Sequence, residues 1–438
     1  MKTSLGNDST LDAFSLVRDI GPDQYRVPTK SYPLPFSPKE YEERLERSRR
    51  EMETQGIDLL LVTCPEGMCY LHGYEVTWYK AASTTHWCPT TTTVIHVDHN
   101  ELILFDGEDA VPSAANRRLS IDNSSAANFG TRLSVETATR EIVKQLSDIG
   151  WLSNKTRVGL ELWSYIPPPA VSTQLTERIL SVGASVLDGS RVMKNVRKLK
   201  SPVELDAIRH AAKIADIGLR AVANSFQPGM SHGEVFAEAM YAMLNAGGEI
   251  PGIPQAVQPG WPQSTHLLPS RRQISAGEPF AVDVAGVFKR YHANLDRTFI
   301  WGEPSNVLCD MNRVAKEALE VLACTAKAGT SVGTVSRALR THYIESGIWK
   351  YHHYCGGYEL GIAFPPDWVG EFEWSVDDDN CFDSFEENMV TNYENSFRNE
   401  DLQFEFAQIA FSRDTLIYTS DGAERLSTIP VDLIVMEN

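Results

Sequence analysis

Asp283 lies inside an apolar run, residues 279–288, where an ionised carboxylate is costly unless it is paired or used. The surrounding stretch PFAVDVAGVFKRYHANLDRTFIWGEP, residues 279–304, reads as a strand, a turn around Gly286–Lys289 and a returning strand. On the return, Asn294 and Asp296 are two positions apart, so they share one face of the strand at about 7 Å. The two carboxylates, Asp283 and Asp296, are candidates for acid–base work on a polar substrate. The competing reading is plainer: strand-end polar groups that find partners within the hairpin. His266 is a candidate proton shuttle, since imidazole titrates near neutral pH, although a lone histidine is more often structural. His292 and His353 stand beside aromatics, where a packed, hydrogen-bonded role is equally natural.

Positioning these residues requires a framework of strands and helices. Residues 1–37 are polar and proline-punctuated and read as an irregular arm. A helix begins at Ser37-Pro38 and stops at Gly56, with Tyr41, Leu45 and Met52 recurring on one face. Residues 57–63 read as a short buried strand, and TTTTVIHVD, ELILFDG and RVGLELW (157–163) as further strands. Strands alternating with helices make residues 38–195 an α/β domain. The basic stretch SRVMKNVRKLKS marks the junction, and the second domain runs from 196 to 438. Two capping boxes, at Ser201/Glu204 and Ser231/Glu234, open helices there. The acidic segment 370–388 reads as a surface insertion.

Composition narrows the function classes. Apolar residues are 42% and charged residues 22% of 438, an ordinary globular balance with room for two cores. A formal net charge of −18 argues against a nucleic-acid partner, which needs a basic surface, and is compatible with a cationic or neutral small substrate. The seven cysteines form no CxxC pair, the amino terminus lacks a basic-then-apolar leader, and no apolar run approaches membrane length. Reduced thiols, a cytoplasmic location and no membrane partner are the expectations.

Lys200–Ile208, the hairpin end Asp296-Arg297-Thr298-Phe299 and the tail Asp414-Thr415…Asp421-Gly422-Ala423-Glu424 resemble the methionine aminopeptidase, prolidase and creatinase superfamily. Tyr70-Leu71-His72-Gly73-Tyr74 resembles the amino-terminal domain of its two-domain branch. The resemblance implies an α/β creatinase-type first domain and an α+β pita-bread catalytic domain. Metallopeptidases of this superfamily hold two divalent ions with two Asp, one His and two Glu. Carried over, those positions are Asp283, Asn294, Tyr358, Glu394 and Arg413, so only two ligands survive and a permanent cation replaces one. The resemblance therefore implies no metal and no cofactor.

Metal-free relatives fit better. Creatinase-like proteins carry a His and an acid at the positions of His266 and Asp296. Ala285-Gly286, Lys289-Arg290-Tyr291-His292, Leu295, and Gly357-Tyr358…Gly361 with Phe364-Pro365-Pro366-Asp367-Trp368 resemble ectoine hydrolases. Asp296 departs from their pattern, which has a small hydroxyl residue there. The resemblance implies hydrolysis of a non-peptide C–N bond, with His266, Asp283, Asp296 and Glu394 catalytic. Tyr358, Arg413, Asn294 and His353 are the expected substrate contacts. Trp78 and Tyr79 belong to a loop that in this family can cap a neighbouring subunit, implying a homodimer. Rival readings are a lyase, isomerase or cyclase on the same scaffold, and a non-catalytic binding protein.

Overall fold

The computed structural model describes residues 34–75, 91–106, 124–128, 134–253, 256–259, 269–378 and 381–437. The expected arm up to residue 33, Trp78, Tyr79 and His266 lie outside the described residues.

The first unit runs α1 (Pro38–Gln55), β1 (Leu59–Val62), α2 (Pro65–His72), β2 (Thr92–His96), β3 (Leu102–Asp106) and β4 (Ser124–Asn128). It continues with α3 (Val135–Asp148), β5 (Arg157–Leu160), α4 (Pro169–Ser181), β6 (Ser185–Asp188) and α5 (Ser190–Lys198). Ser37 caps α1 by accepting from the Glu40 amide, Pro38 occupies the first turn, and Gly56 ends the helix at φ 69°. The six strands are ordered β4-β3-β2-β1-β5-β6, with the wholly apolar, fully buried β1 at the centre. β5 ends at Leu160, short of Trp163. The chain turns there because Glu161 points inward and accepts from the Thr63 and Cys64 amides at 2.6 and 2.8 Å.

The expected junction near residue 195 falls within α5, which packs on α1 and so belongs to the first unit. The chain crosses at Leu199–Ser201 into α6 (Pro202–Ser225) and α7 (His232–Asn245), both opened by the capping boxes read from the sequence. There follow β7 (Ala256–Pro259), β8 (Phe280–Phe288), β9 (Tyr291–Trp301), α8 (Asn306–Thr325) and α9 (Val332–Glu345). β10 (His352–Tyr358), β11 (Glu373–Ser375), β12 (Val390–Asn399), β13 (Gln408–Tyr418), β14 (Ala423–Arg425) and β15 (Ile434–Met436) complete the fold. Among the described residues they form a nine-stranded sheet, ordered β11-β10-β12-β13-β9-β8-β7, with β14 on β13 and β15 on β9.

Helices cover one face of this sheet. Val284, Leu295 and Phe299 pack with α6 and α7, and Tyr393, Leu416 and Ala410 pack with α8 and α9. Because side chains alternate along a strand, Asp283, Asp296, Glu394 and Arg413 face the other way. Gly286 lets α6 approach: a Cβ there would lie 1.9 Å from the Ala211 carbonyl oxygen.

Two sequence expectations are corrected. The β8–β9 turn is Lys289-Arg290, at φ 53° and 65°, rather than Gly286–Lys289. These unfavourable left-handed conformations are held by Glu249, whose carboxylate accepts both turn amides at 2.6 and 3.1 Å. The acidic segment is not a surface excursion. Glu373–Ser375 pairs with β10, and Trp374 and Phe385 are buried in the core beneath α8 and α9.

Fully buried Arg44 ties the two units together. It donates to Glu40 at 2.8 Å, to the Tyr70 carbonyl at 3.1 Å and to the Tyr291 hydroxyl at 3.1 Å, while Tyr291 donates to Glu204 at 2.8 Å.

Candidate active site: a carboxylate row spanned by one arginine

Strand register builds the site. Asp283 pairs with Asp296 across β8–β9, Asp296 with Arg413 across β9–β13, and Arg413 with Glu394 across β13–β12. Four charged side chains from four strands thus stand in one row, about 4.8 Å apart strand to strand. The Arg413 guanidinium sits among the carboxylates, 3.3 Å from Asp283 and 2.9 Å from Glu394, and Nη1 donates to Asp296 Oδ2.

Beside this row lies a second one of amides. Asn294 donates to Asp283 at 2.6 Å and to the Val284 carbonyl at 3.2 Å. Asn392 donates through its side-chain nitrogen to Asn294 at 3.0 Å and to Glu394 at 2.9 Å, and its Oδ1 accepts the Tyr358 amide at 2.8 Å. Gly357 lets β10 lie close to β12 here, since a Cβ would meet the Asn392 backbone carbonyl oxygen at 2.2 Å. Tyr358 stands over the row, its hydroxyl accepting from Trp368 Nε1 at 3.0 Å.

The electrostatics follow from burial. Asp296 is fully buried, and among the described residues its Oδ1 has no hydrogen-bond partner. Desolvation raises its pKa from 3.8 to about 8; Arg413 opposes that rise, and Asp283 and Glu394 reinforce it. For Arg413, burial disfavours the cation, but Asp283, Glu394 and Asp296 together hold its pKa above the ordinary value. Burial, then the negative charges of Glu394 and Asp283, raises the Tyr358 phenol.

The structure therefore brings Asp283, Asn294, Asp296, Tyr358, Glu394 and Arg413 together. His353 is exposed on β10 and makes no hydrogen bond to the row, though its pKa is lowered by burial and by the charges of Arg398 and Arg413. His292 is structural: it accepts from the Gly252 amide at 2.9 Å, contacts the Arg290 carbonyl at 2.9 Å, and burial drives its pKa down to about 3. Asn392 was not singled out from the sequence, although its i, i+2 relation to Glu394 places both on one strand face.

Residues 44–199 match the creatinase/prolidase N-terminal domain, and residues 206–417 match metallopeptidase family M24. The chain belongs to the creatinase/aminopeptidase P superfamily, a family of hydrolases. It is 25% identical over 437 residues to the ectoine hydrolase of Halomonas elongata, covering 92% of this chain and 98% of that one. It is 24% identical over 248 residues to the Xaa-Pro dipeptidase of Pyrococcus horikoshii, covering 56% and 66%. The solved Xaa-Pro dipeptidase of Bacillus anthracis superposes with a TM-score of 0.74 at 20% identity, over 90% of this chain and all of that chain. This last likeness shows the pita-bread fold.

The residues present do not fit the family's metal pair. Asn294 and Tyr358 stand where the resemblance places two ligands, and the Arg413 cation lies within 3.3 Å of Asp283 and 2.9 Å of Glu394, the carboxylates a dication would need. Among the described residues no group of three or more His, Cys, Asp or Glu is arranged to hold a metal. No described helix is long and apolar enough to cross a membrane.

Proposed function

We propose that this protein hydrolyses a non-peptide C–N bond in a small amidine, cyclic amidine or amide, without a bound metal. The observation that supports the reading most is Arg413 between Asp283, Asp296 and Glu394, with an unpartnered, fully buried Asp296 Oδ1 beside it. One fixed cation against three acids leaves the row net negative, which suits a planar cationic nitrogen group donating paired N–H bonds to carboxylates.

Asp283 and Glu394 accept those N–H groups, and Asn294 and Asn392 fix the carboxylates through the bonds described above. Asp296, raised to about 8, keeps its proton at neutral pH and delivers it to the departing nitrogen. Tyr358 receives a bond from Trp368 and retains its own proton for the developing oxyanion. His266, assigned from the resemblance to creatinase-like proteins, takes a proton from water as the oxygen attacks carbon. The balance is one water added: oxygen to carbon, hydrogen to nitrogen. The reading also includes a cytoplasmic homodimer, with the Trp78–Tyr79 loop covering the neighbouring copy's pocket, and small molecules as the only partners.

The test incubates chelator-treated protein with amidines, cyclic amidines, cyclic amides and Xaa-Pro dipeptides, and reads product mass. A gain of one water on a non-peptide substrate is expected. Cleavage of Xaa-Pro dipeptides that returns only with added divalent metal would replace this reading by a peptidase. A product of unchanged mass would make the enzyme an isomerase, and loss of one water a condensing cyclase.

A further inference from the structure

A cavity of about 390 Å³ lies between the two units, and its lining includes none of the four charged residues of the row. One wall is the segment from Glu359 to Glu371; Cys64, Glu66, Trp163 and Arg197 of the first unit form the opposite side. Strand alternation separates the two sites: Tyr358 belongs to the carboxylate row and its neighbour Glu359 to the cavity.

Most charges facing the cavity are already answered. Glu359 accepts from Lys200 at 2.6 Å, Lys194 donates to Glu371, and Glu161 accepts the Thr63 and Cys64 amides. Asp367 accepts the amides of Trp368 and Val369, and Glu204 accepts from Tyr291. Arg197 differs. Of its five N–H donors one bond is made, Nη2 to the Ile362 carbonyl at 3.2 Å, and among the described residues no carboxylate forms an ion pair with it. Glu66 likewise has no ion-pair partner among the described residues; burial raises its pKa, and the charge of Arg197 opposes that rise. Burial works against the Arg197 cation, yet Cys64, Glu66, Glu359 and Glu161 hold its pKa above normal. Opposite charges thus face one cavity without meeting, and Trp163 and Trp368 supply apolar surface beside them.

The geometry points to a second binding site, for a small zwitterion with an apolar body: carboxylate on Arg197, cationic nitrogen on Glu66, body against Trp163 and Trp368. A volume of about 390 Å³ falls within the range of small-molecule pockets.

L-phenylalanine is the probe, with 3-phenylpropanoate (no ammonium) and phenethylamine (no carboxylate) as its two halves. Titration calorimetry on the full chain should show one phenylalanine site, with each half-molecule about tenfold weaker or worse, the step that 1.4 kcal/mol produces. Arg197→Gln should weaken phenylalanine binding by at least about tenfold while the unliganded melting temperature holds. Glu66→Gln should erase the preference for phenylalanine over 3-phenylpropanoate. Should Arg197→Gln fail to fold, Arg197→Lys keeps the charge but not the fork, and unchanged binding by it would overturn the assignment. So would absent phenylalanine binding, equal affinity for all three probes, or loss on Glu394→Gln with Arg197→Gln unaffected, which would move the ligand to the carboxylate row.

Discussion

Arg297 and Arg413 are buried on neighbouring strands of one sheet, facing opposite sides, and their surroundings are completed differently. Arg297 donates to the carbonyls of Pro430, Asp296, Arg413 and Ile429, to Ser427 and to Asp414, all between 2.7 and 3.2 Å. Its partner Asp414 is wholly buried too and also accepts from Ser427 at 2.7 Å. Every donor is used, so this network pins β9, β13 and the carboxy-terminal segment together and has no capacity left. Arg413 instead spreads one charge over three acids and, among the described residues, leaves Asp296 Oδ1 without a partner. The same residue type in the same sheet builds the fold where its network closes, and a ligand site where it stays open.

The comparison breaks most visibly at Arg297. Arg297→Leu should destabilise the protein by about 3–5 kcal/mol, because it strands a buried carboxylate; denaturant unfolding measures this, and a loss below about 1 kcal/mol would mean that water compensates Asp414.

Asp296→Asn tests the open side. Turnover should fall by about 10²–10⁴-fold with little loss of fold. The wild-type rate should decline as pH rises through about 8, and the variant should lack that limb. Stability follows the same sign. The folded pKa is raised above the ordinary 3.8, so the contribution is full below about pH 4 and is lost as pH climbs towards about 8. Wild type should therefore lose stability relative to Asp296→Asn across that window; a flat difference there, with wild type gaining only below about pH 4, would show that Arg413 keeps Asp296 ionised.

Asn392→Ala sharpens the contrast by opening the amide row. It frees Asn294, Glu394 and the Tyr358 amide at once and should cost about 1–3 kcal/mol, with a rise in KM larger than the fall in kcat if the amide row orients the acids for substrate. Glu249→Ala has the smallest expected effect, about 1 kcal/mol, since it only loosens the strained Lys289-Arg290 turn; unchanged thermal unfolding would show that the two bonds Arg290 donates to the Ala363 carbonyl, at 3.2 and 2.7 Å, suffice.

Much of this was readable in order along the chain. Ser37, Ser201 and Ser231 announce their helices because capping is local, and Asp283 stands out because a carboxylate inside an apolar strand needs a reason. The Asp-Arg-Thr and Asp-Thr signatures marked the family, although only the structure shows that Arg297 and Asp414 within them serve stability. Trp374 and Phe385 were hidden by the acids around them, since composition averages over side chains that point in opposite directions. Asn392 carried no signal beyond its place two residues before Glu394.

By itself the sequence determined the helix starts of the two units and the isolated carboxylate of Asp283 in an apolar strand, because these depend on residue type and short spacing. Tertiary structure alone decided that Asp283, Asp296, Arg413 and Glu394 align in one row, and that Arg197 and Glu66 share a cavity between the units. Those arrangements depend on strand register and domain contact, which bring together residues separated by more than a hundred positions, and no local property of the chain records them.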